Sequence, residues 1–484
     1  MISITFLGAA RTVTGSKYLV QVDDRKVLVD AGLFQGPRAL RERNWADFPI
    51  PAREIDAIVL THAHLDHCGY LPRLVAQGYR GRVFCTQGTK ELCEIVLPDS
   101  GRIQEEDADQ ANRHGYSKHK PALPLYREVD ALNACALLQP CGYERPLDVV
   151  PGIQVEFINA GHLLGSSYVR MRTNDRTILF GGDLGRFDRP VLPDPTMMSE
   201  ADYLLVESTY GNRVHEQDDN GTHLAKVVTE TAQKGGKLII PSFAIGRAEE
   251  LIYWLKRLED EKRIPVLPVY LDSPMALAAL ARYRERVHEL DPEMQPERRD
   301  DMAPHGEAGH DGGEAERRHR ARQERQMCVF CTDRFRTIKS PQESKELTAS
   351  KAPAIVISSS GMAEGGRVLH HLKAALPDAR NTVLFAGYQA VGTRGWRLTQ
   401  GEPQVKIHGQ WIPVRATVDR LESMSAHADS HEILRWLHGF TKAPRETFIV
   451  HGEPDAMEAL TASIAADLKW KSRMPEYLQT IELQ

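Results

Sequence analysis

Residues 61–67 read Thr-His-Ala-His-Leu-Asp-His and follow the apolar run Ala57-Ile58-Val59-Leu60. An apolar strand that breaks directly into imidazoles and a carboxylate is built to hold a cation. His62 and His64, separated by one residue, can aim two neutral rings at one ion from an extended turn, while Asp66 and His67 are displaced from that pair and can serve a second. Imidazole with carboxylate is the donor mix that suits zinc, with manganese or iron as alternatives. The competing reading is a solvated polar loop, and the density of ligand types in a single turn speaks against it.

Three further segments each end an apolar strand on one polar group: Val27-Leu28-Val29-Asp30, Ile158-Asn159-Ala160-Gly161-His162 and Ile178-Leu179-Phe180-Gly181-Gly182-Asp183. A carboxylate or imidazole carried toward the interior needs a partner, and a metal is a good one. Glycines beside His162 and Asp183 allow tight turns there. A lone strand-end aspartate is ordinarily a turn residue, but beside His-x-His-x-Asp-His the segments read jointly as one metal site.

The chain has 484 residues, enough for about two or three domains. Strands are expected at 2–7, 18–22, 26–30, 57–60, 82–85, 153–159, 167–172, 177–181 and 203–206, with helices at 65–77, 103–112 and 127–138. From about Thr222 the rhythm becomes βαβ: helix 224–233, strand 237–241, helix 248–258 and strand 266–271, then strands 355–358 and 383–386 around a helix at 365–375. That alternation predicts a parallel sheet. Residues 282–326 are dense in charge, and 300–316 is expected to be a mobile loop whose His305 and His310, like nearby His319, are solvated. Seven unevenly spaced cysteines argue against a disulfide scaffold; Cys328 and Cys331 have zinc-ribbon or redox spacing, but there is no second pair and the inner residues are apolar, so two cysteines on or beside a strand are expected. A net charge of −5 gives no global attraction to nucleic acid, so polyanion binding requires a local basic surface. No export signal and no membrane-spanning run is read, which leaves the cytoplasm as the expected location.

The order of these motifs resembles the metallo-β-lactamase superfamily. The resemblance implies that His62, His64 and His162 hold one zinc, that Asp66 and His67 hold another, that Asp183 bridges both and that Asp30 orients the Asp-His turn. Later segments narrow the match: Glu207-Ser208-Thr209-Tyr210-Gly211, Pro241-Ser242-Phe243-Ala244-Ile245-Gly246-Arg247, Ser358-Ser359-Ser360-Gly361-Met362, Ala386-Gly387-Tyr388-Gln389 and Ser425-Ala426-His427-Ala428-Asp429. Together they resemble the β-CASP subgroup, nucleases that include the cleavage-and-polyadenylation endonuclease, and above all its bacterial and archaeal relatives. The similarity spans nearly the whole chain and is weakest at 284–326. It implies an α/β fold: an αββα sandwich (1–208 and 393–484) interrupted by an inserted parallel-sheet β-CASP domain (209–392). It makes Glu207 the first β-CASP motif and His427 the last, completing the second zinc's ligands.

The expected function is zinc-dependent hydrolysis of single-stranded RNA with two Zn2+ (or Mn2+ or Fe2+), Asp66, Asp183, Glu207 and His427 being the catalytic groups. Asp66 or Asp183 would accept the water proton, and the inserted domain would lid the site. Eukaryotic relatives carry a histidine where Arg397 stands here, so the leaving-group proton is expected from His427 or water. Arg247, Arg367 and Arg397 with the backbone at Ser360 and Gly361 are the candidate phosphate contacts, and Tyr388 and Trp396 could stack bases or pack in the core. His370 and His371 are expected on a helix surface. Turnover of a thioester or lactam, or silent RNA binding, are the alternatives. The partner is single-stranded RNA, not a membrane, and the resemblance allows a homodimer. Cleavage mode, polarity and RNA preference are not encoded in any motif.

Overall fold

The alternation at the start of the chain forms three antiparallel strands, Ile2–Phe6, Tyr18–Val22 and Arg25–Val29. In the computed structural model, which describes every residue except 116, 174, 217–220, 295–327, 388, 391 and 422, they belong to a seven-stranded sheet. Its order is Thr480–Leu483, the three strands just named, then Ala57–Val59, Arg82–Thr86 and Leu138–Cys141. A second seven-stranded sheet runs Ser472–Arg473, Glu446–Val450, Tyr203–Glu207, Thr177–Phe180, Ser167–Arg172, Ile153–Asn159, Leu147–Val150.

Successive strand residues point to opposite faces, so a strand buried on both sides feeds two cores. Ile178 and Phe180 join Val27, Val29, Val59 and Phe448 between the sheets. Leu179 turns outward to Trp436 and Met457 on the helices Ser430–Leu437 and Pro454–Asp467. The other sheet is covered by Gln87–His114 and Glu128–Cys135, which completes the four layers.

Two helices differ from expectation. The segment 65–77 is split into Leu65–Cys68 and Leu71–Ala76, because Pro72 has no N–H to continue a helix and instead opens the second one. The short helix read at 103–112 is the end of the 28-residue Gln87–His114, which tolerates Pro98 in its interior.

Two compact units divide the chain: Met1–Val214 with Ala426–Gln484, and His215–Ser425. The second contains a six-stranded parallel sheet ordered Phe335–Thr337, Val269–Leu271, Ala354–Ser358, Lys237–Pro241, Thr382–Ala386, Thr417–Leu421. The helices Thr222–Gln233, Arg247–Asp260, Pro274–Glu285 and Val368–Ala375 alternate with these strands. The return to the first unit was expected at 393 and falls later, because Thr417–Leu421 pairs with Thr382–Ala386 and extends the parallel sheet.

Cys328 and Cys331, expected on or beside a strand, lie in a turn and are joined in a disulfide: Cys331 N donates to Cys328 O at 3.2 Å, and the tight turn brings the side chains together. Cys68, Cys85, Cys93, Cys135 and Cys141 are free thiols. Tyr388, residues 300–316, and His305, His310 and His319 lie outside the described residues. Among the described residues no helix is long and apolar enough to cross a membrane.

Candidate metal centre

All the strand-end groups collect at one edge of the sandwich. The chain leaves Arg25–Val29 at Asp30, which is fully buried and takes a left-handed φ of 60°. Its carboxylate accepts from Thr61 N (2.8 Å) and Thr61 Oγ1 (2.9 Å) and lies 2.7 Å from His67 Nδ1. That contact puts the proton of His67 on Nδ1 and turns Nε2 toward the centre, the usual task of a carboxylate behind a ligating ring. Gly32 makes the approach possible: a Cβ there would lie 1.6 Å from the Asp66 carbonyl oxygen.

Two donor clusters result. His62 Nε2 lies 3.1 Å and His162 Nε2 3.2 Å from His64 Nδ1, and the same two nitrogens are 3.3 and 3.4 Å from Asp183 Oδ2. On the other side His67 Nε2 lies 3.1 Å from both His451 Nε2 and Asp183 Oδ1, and His451 Nε2 is 3.4 Å from Asp66 Oδ2. Four donors about 2.0–2.1 Å from a tetrahedral ion stand roughly 3.3 Å apart, so both sets match the edges of such a coordination shell. Among the described residues Asp183 Oδ1 is buried with no hydrogen-bond partner, an orphan that a cation would satisfy. The residues fit divalent metal.

Electrostatics agree. Burial, reinforced by the neighbouring charge of His67, pushes His62 down to about 3. Burial lowers His64 and His162 as well, leaving the neutral imidazoles that bind metal. Burial opposes ionisation of Asp183, but the surrounding histidines overcome it and hold the carboxyl well below the usual range. His67 goes the opposite way: despite burial, Asp183 and Asp30 draw a proton onto it, in the place a cation would occupy.

His427 does not join Asp66 and His67. Its Nδ1 lies 3.0 Å from Glu207 Oε2 and 3.9 Å from Asp183 Oδ2. The third donor beside Asp66 and His67 is His451, buried and held by its N–H to Ala9 O at 2.8 Å. The sequence signal for His451 was present: the strand Glu446–Val450 runs straight into His-Gly, the pattern already read at Asp183. Glu207 is buried, accepts from Leu184 N at 2.6 Å and from the Thr209 hydroxyl, and grips His427. Burial works against a proton on His427, but Glu207 with Asp183 raises it to about 9.

The candidate phosphate contacts lie in the second unit. Arg247 is buried in the first turn of Arg247–Asp260 and paired with Glu250. Arg367 pairs with Asp272 at 2.7 Å. Arg397 is exposed on the helix Arg394–Thr399, with Trp396 half-buried beside it. Ser360 and Gly361 follow the strand Ala354–Ser358, and a Cβ on Gly361 would lie 2.9 Å from Phe243 N. His371, expected on a surface, is buried, whereas His370 is exposed.

Residues 11–78 match the metallo-β-lactamase superfamily, 248–398 the β-CASP domain, and 411–475 the Zn-dependent metallo-hydrolase RNA specificity domain. Ribonuclease TTHA0252 of Thermus thermophilus is 37% identical over 459 residues, 95% of either chain. An RNase J-like protein of Methanocaldococcus jannaschii is 28% identical over 98% of both. Transcription termination factor FttA of Pyrococcus abyssi is 30% identical over the whole of this chain and 72% of its own length. A crystal structure of a protein of unknown function from Enterococcus faecalis V583 shares the fold, with a TM-score of 0.53 at 14% identity over the full length of both chains. A strand-end metal edge on a four-layered sandwich, broken by a parallel-sheet insertion and matched along almost its entire length, places the chain in the β-CASP group of the metallo-β-lactamase superfamily.

Proposed function

We propose that the chain is a metal-dependent ribonuclease that hydrolyses phosphodiester bonds of single-stranded RNA, using two divalent cations, zinc by preference. The observation that carries this reading is Asp183, whose two carboxylate oxygens face two separate donor sets, in a chain 37% identical over 95% of its length to a protein named ribonuclease. His62, His64 and His162 with Asp183 would hold one ion, and Asp66, His67 and His451 with Asp183 the other. Such a pair supplies Lewis-acid polarisation of a phosphate oxygen and a nucleophilic water at neutral pH.

The protein's own groups do the rest. Asp30 fixes the ring of His67 through Nδ1. Asp66, whose side chain is 21% exposed, is the more available carboxylate for taking a proton from attacking water. Glu207 keeps His427 protonated, and His427, itself 23% exposed, can hand that proton to the departing ribose oxygen. Arg397 cannot serve as that acid, because a guanidinium does not release its proton near neutral pH.

The test is incubation of the metal-loaded protein with 5′-labelled single-stranded RNA and DNA of equal sequence. Cleavage of RNA that is lost in His64→Ala and restored by no metal supports the reading. Cleavage of neither polymer, with turnover of a thioester, overturns it. The product ladder reports endonucleolytic or exonucleolytic action.

A further inference from the structure

A second polar cluster lies in the unit His215–Ser425, at the carboxyl edge of its parallel strands. Asp272 follows the strand Val269–Leu271 and is fully buried. Its Oδ1 accepts from Arg367 Nη1 (2.7 Å), and its Oδ2 accepts from Ser344 Oγ (2.5 Å) and faces His371 Nε2 (2.7 Å). The Thr348 hydroxyl donates to Ser344 O at 2.8 Å, so toward His371 Nδ1, 3.1 Å away, its oxygen can only accept. Both ring nitrogens of His371 thus have a polar neighbour inside the cluster.

Asp272 thus has both carboxylate oxygens engaged away from water, and one of the groups it holds reaches the surface. Arg367 is 22% exposed, and beyond Nη1 its N–H groups have no protein acceptor among the described residues. It stands at the end of the loop that leaves Ala354–Ser358, on the sheet edge where parallel α/β folds place their ligands. A planar guanidinium anchored by one nitrogen, with the others presented outward, matches a phosphate oxygen pair.

We propose that Asp272 and His371 are positioning residues that hold the Arg367 guanidinium to bind one backbone phosphate of single-stranded RNA. This inference rests on the ribonuclease reading and adds to it the two residues that fix the arginine.

Steady-state cleavage of a single-stranded oligoribonucleotide by the metal-loaded full chain tests it. Arg367→Gln should raise KM by roughly tenfold, the loss of a charge-assisted contact, with kcat little changed. Over about 50 to 200 mM salt the slope of log KM against log salt should shrink by about 0.7, one phosphate contact. Asp272→Asn should move KM and the salt slope the same way while bound metal stays at the wild-type level. If Asp272→Asn only lowers the melting temperature and leaves KM and slope alone, the positioning role is overturned. Should that variant not fold, Arg367→Gln decides by itself, and a wild-type slope there overturns the proposal. Wild-type protein that cuts RNA while Arg367→Gln behaves identically sinks this inference alone; wild-type protein that cuts no RNA sinks the ribonuclease reading together with it.

Discussion

Asp183 gives Oδ2 to His62 and His162 and Oδ1 to His67 and His451, so one substitution there touches both donor sets. Asp183→Asn keeps the shape but removes the charge; cleavage should fall by on the order of a thousandfold or more, with less than the full metal complement by elemental analysis. The two histidines near the carboxyl end of the chain should behave differently. His451→Ala should lose bound metal and activity together, as expected of a ligand beside Asp66 and His67. His427→Ala should retain metal and lose turnover by about a hundredfold or more, the scale of a general acid. In the wild type, loss of the His427 proton should produce an alkaline limb in kcat/KM at or below about 9, since bound cations would ease that proton off. The limb should vanish in His427→Ala. Equal metal loss in both variants would remove the distinction. The donor groups at 62–67, 162 and 183 were legible because each combines a short apolar strand with a polar end and a nearby glycine. His451 is spelled the same way, yet its role emerges only when Glu446–Val450 pairs with Tyr203–Glu207. The burial of His371 was illegible, because its partner Asp272 lies on a different strand, 99 positions earlier.

At the scale of elements, the site depends on close backbone approaches as much as on ligands. The turn after Arg25–Val29 must press against the Asp66–His67 turn, with Ala31 N donating to His67 O at 2.7 Å, while Ser16 N, just before the strand Tyr18–Val22, donates to Asp66 O at 2.8 Å. Gly32→Ala would force a methyl into the Asp66 carbonyl. It should cost about 2–4 kcal/mol of stability, as overpacking in a tight core does, and reduce metal content although no ligand is changed. Wild-type melting and metal content in this variant would show that the turns can part without harm. The strand ends were readable from alternation, whereas element continuity was not. Pro98 hides the length of Gln87–His114, and Pro72 reads as a tolerated interior residue although it opens a new helix. Thr417–Leu421 is a polar, short strand whose membership is decided by its neighbour Thr382–Ala386, a tertiary fact that no local pattern carries.

At the scale of the whole molecule, stability should depend on pH through a group outside the candidate metal centre. Glu249 is completely buried on Arg247–Asp260, and burial, only partly offset by the backbone at Glu249 and Gly246, pushes its pKa from 4.5 up to about 8. Between those values the folded chain holds a proton that the unfolded chain has released, so this group's contribution to stability is greatest below 4.5 and declines as pH rises toward 8. Glu249→Gln should therefore be nearly neutral in acid and stabilising by about 4 kcal/mol at pH 8, seen as a melting-temperature gain over wild type that grows with pH. A gain independent of pH would assign the effect to packing. The sandwich has one more property with a biological edge. Its second sheet lacks an inner strand, and its metal edge lacks His451, until the whole of His215–Ser425 has been synthesised. A nascent chain therefore cannot bring Asp66, His67 and His451 together until the entire inserted unit has been made.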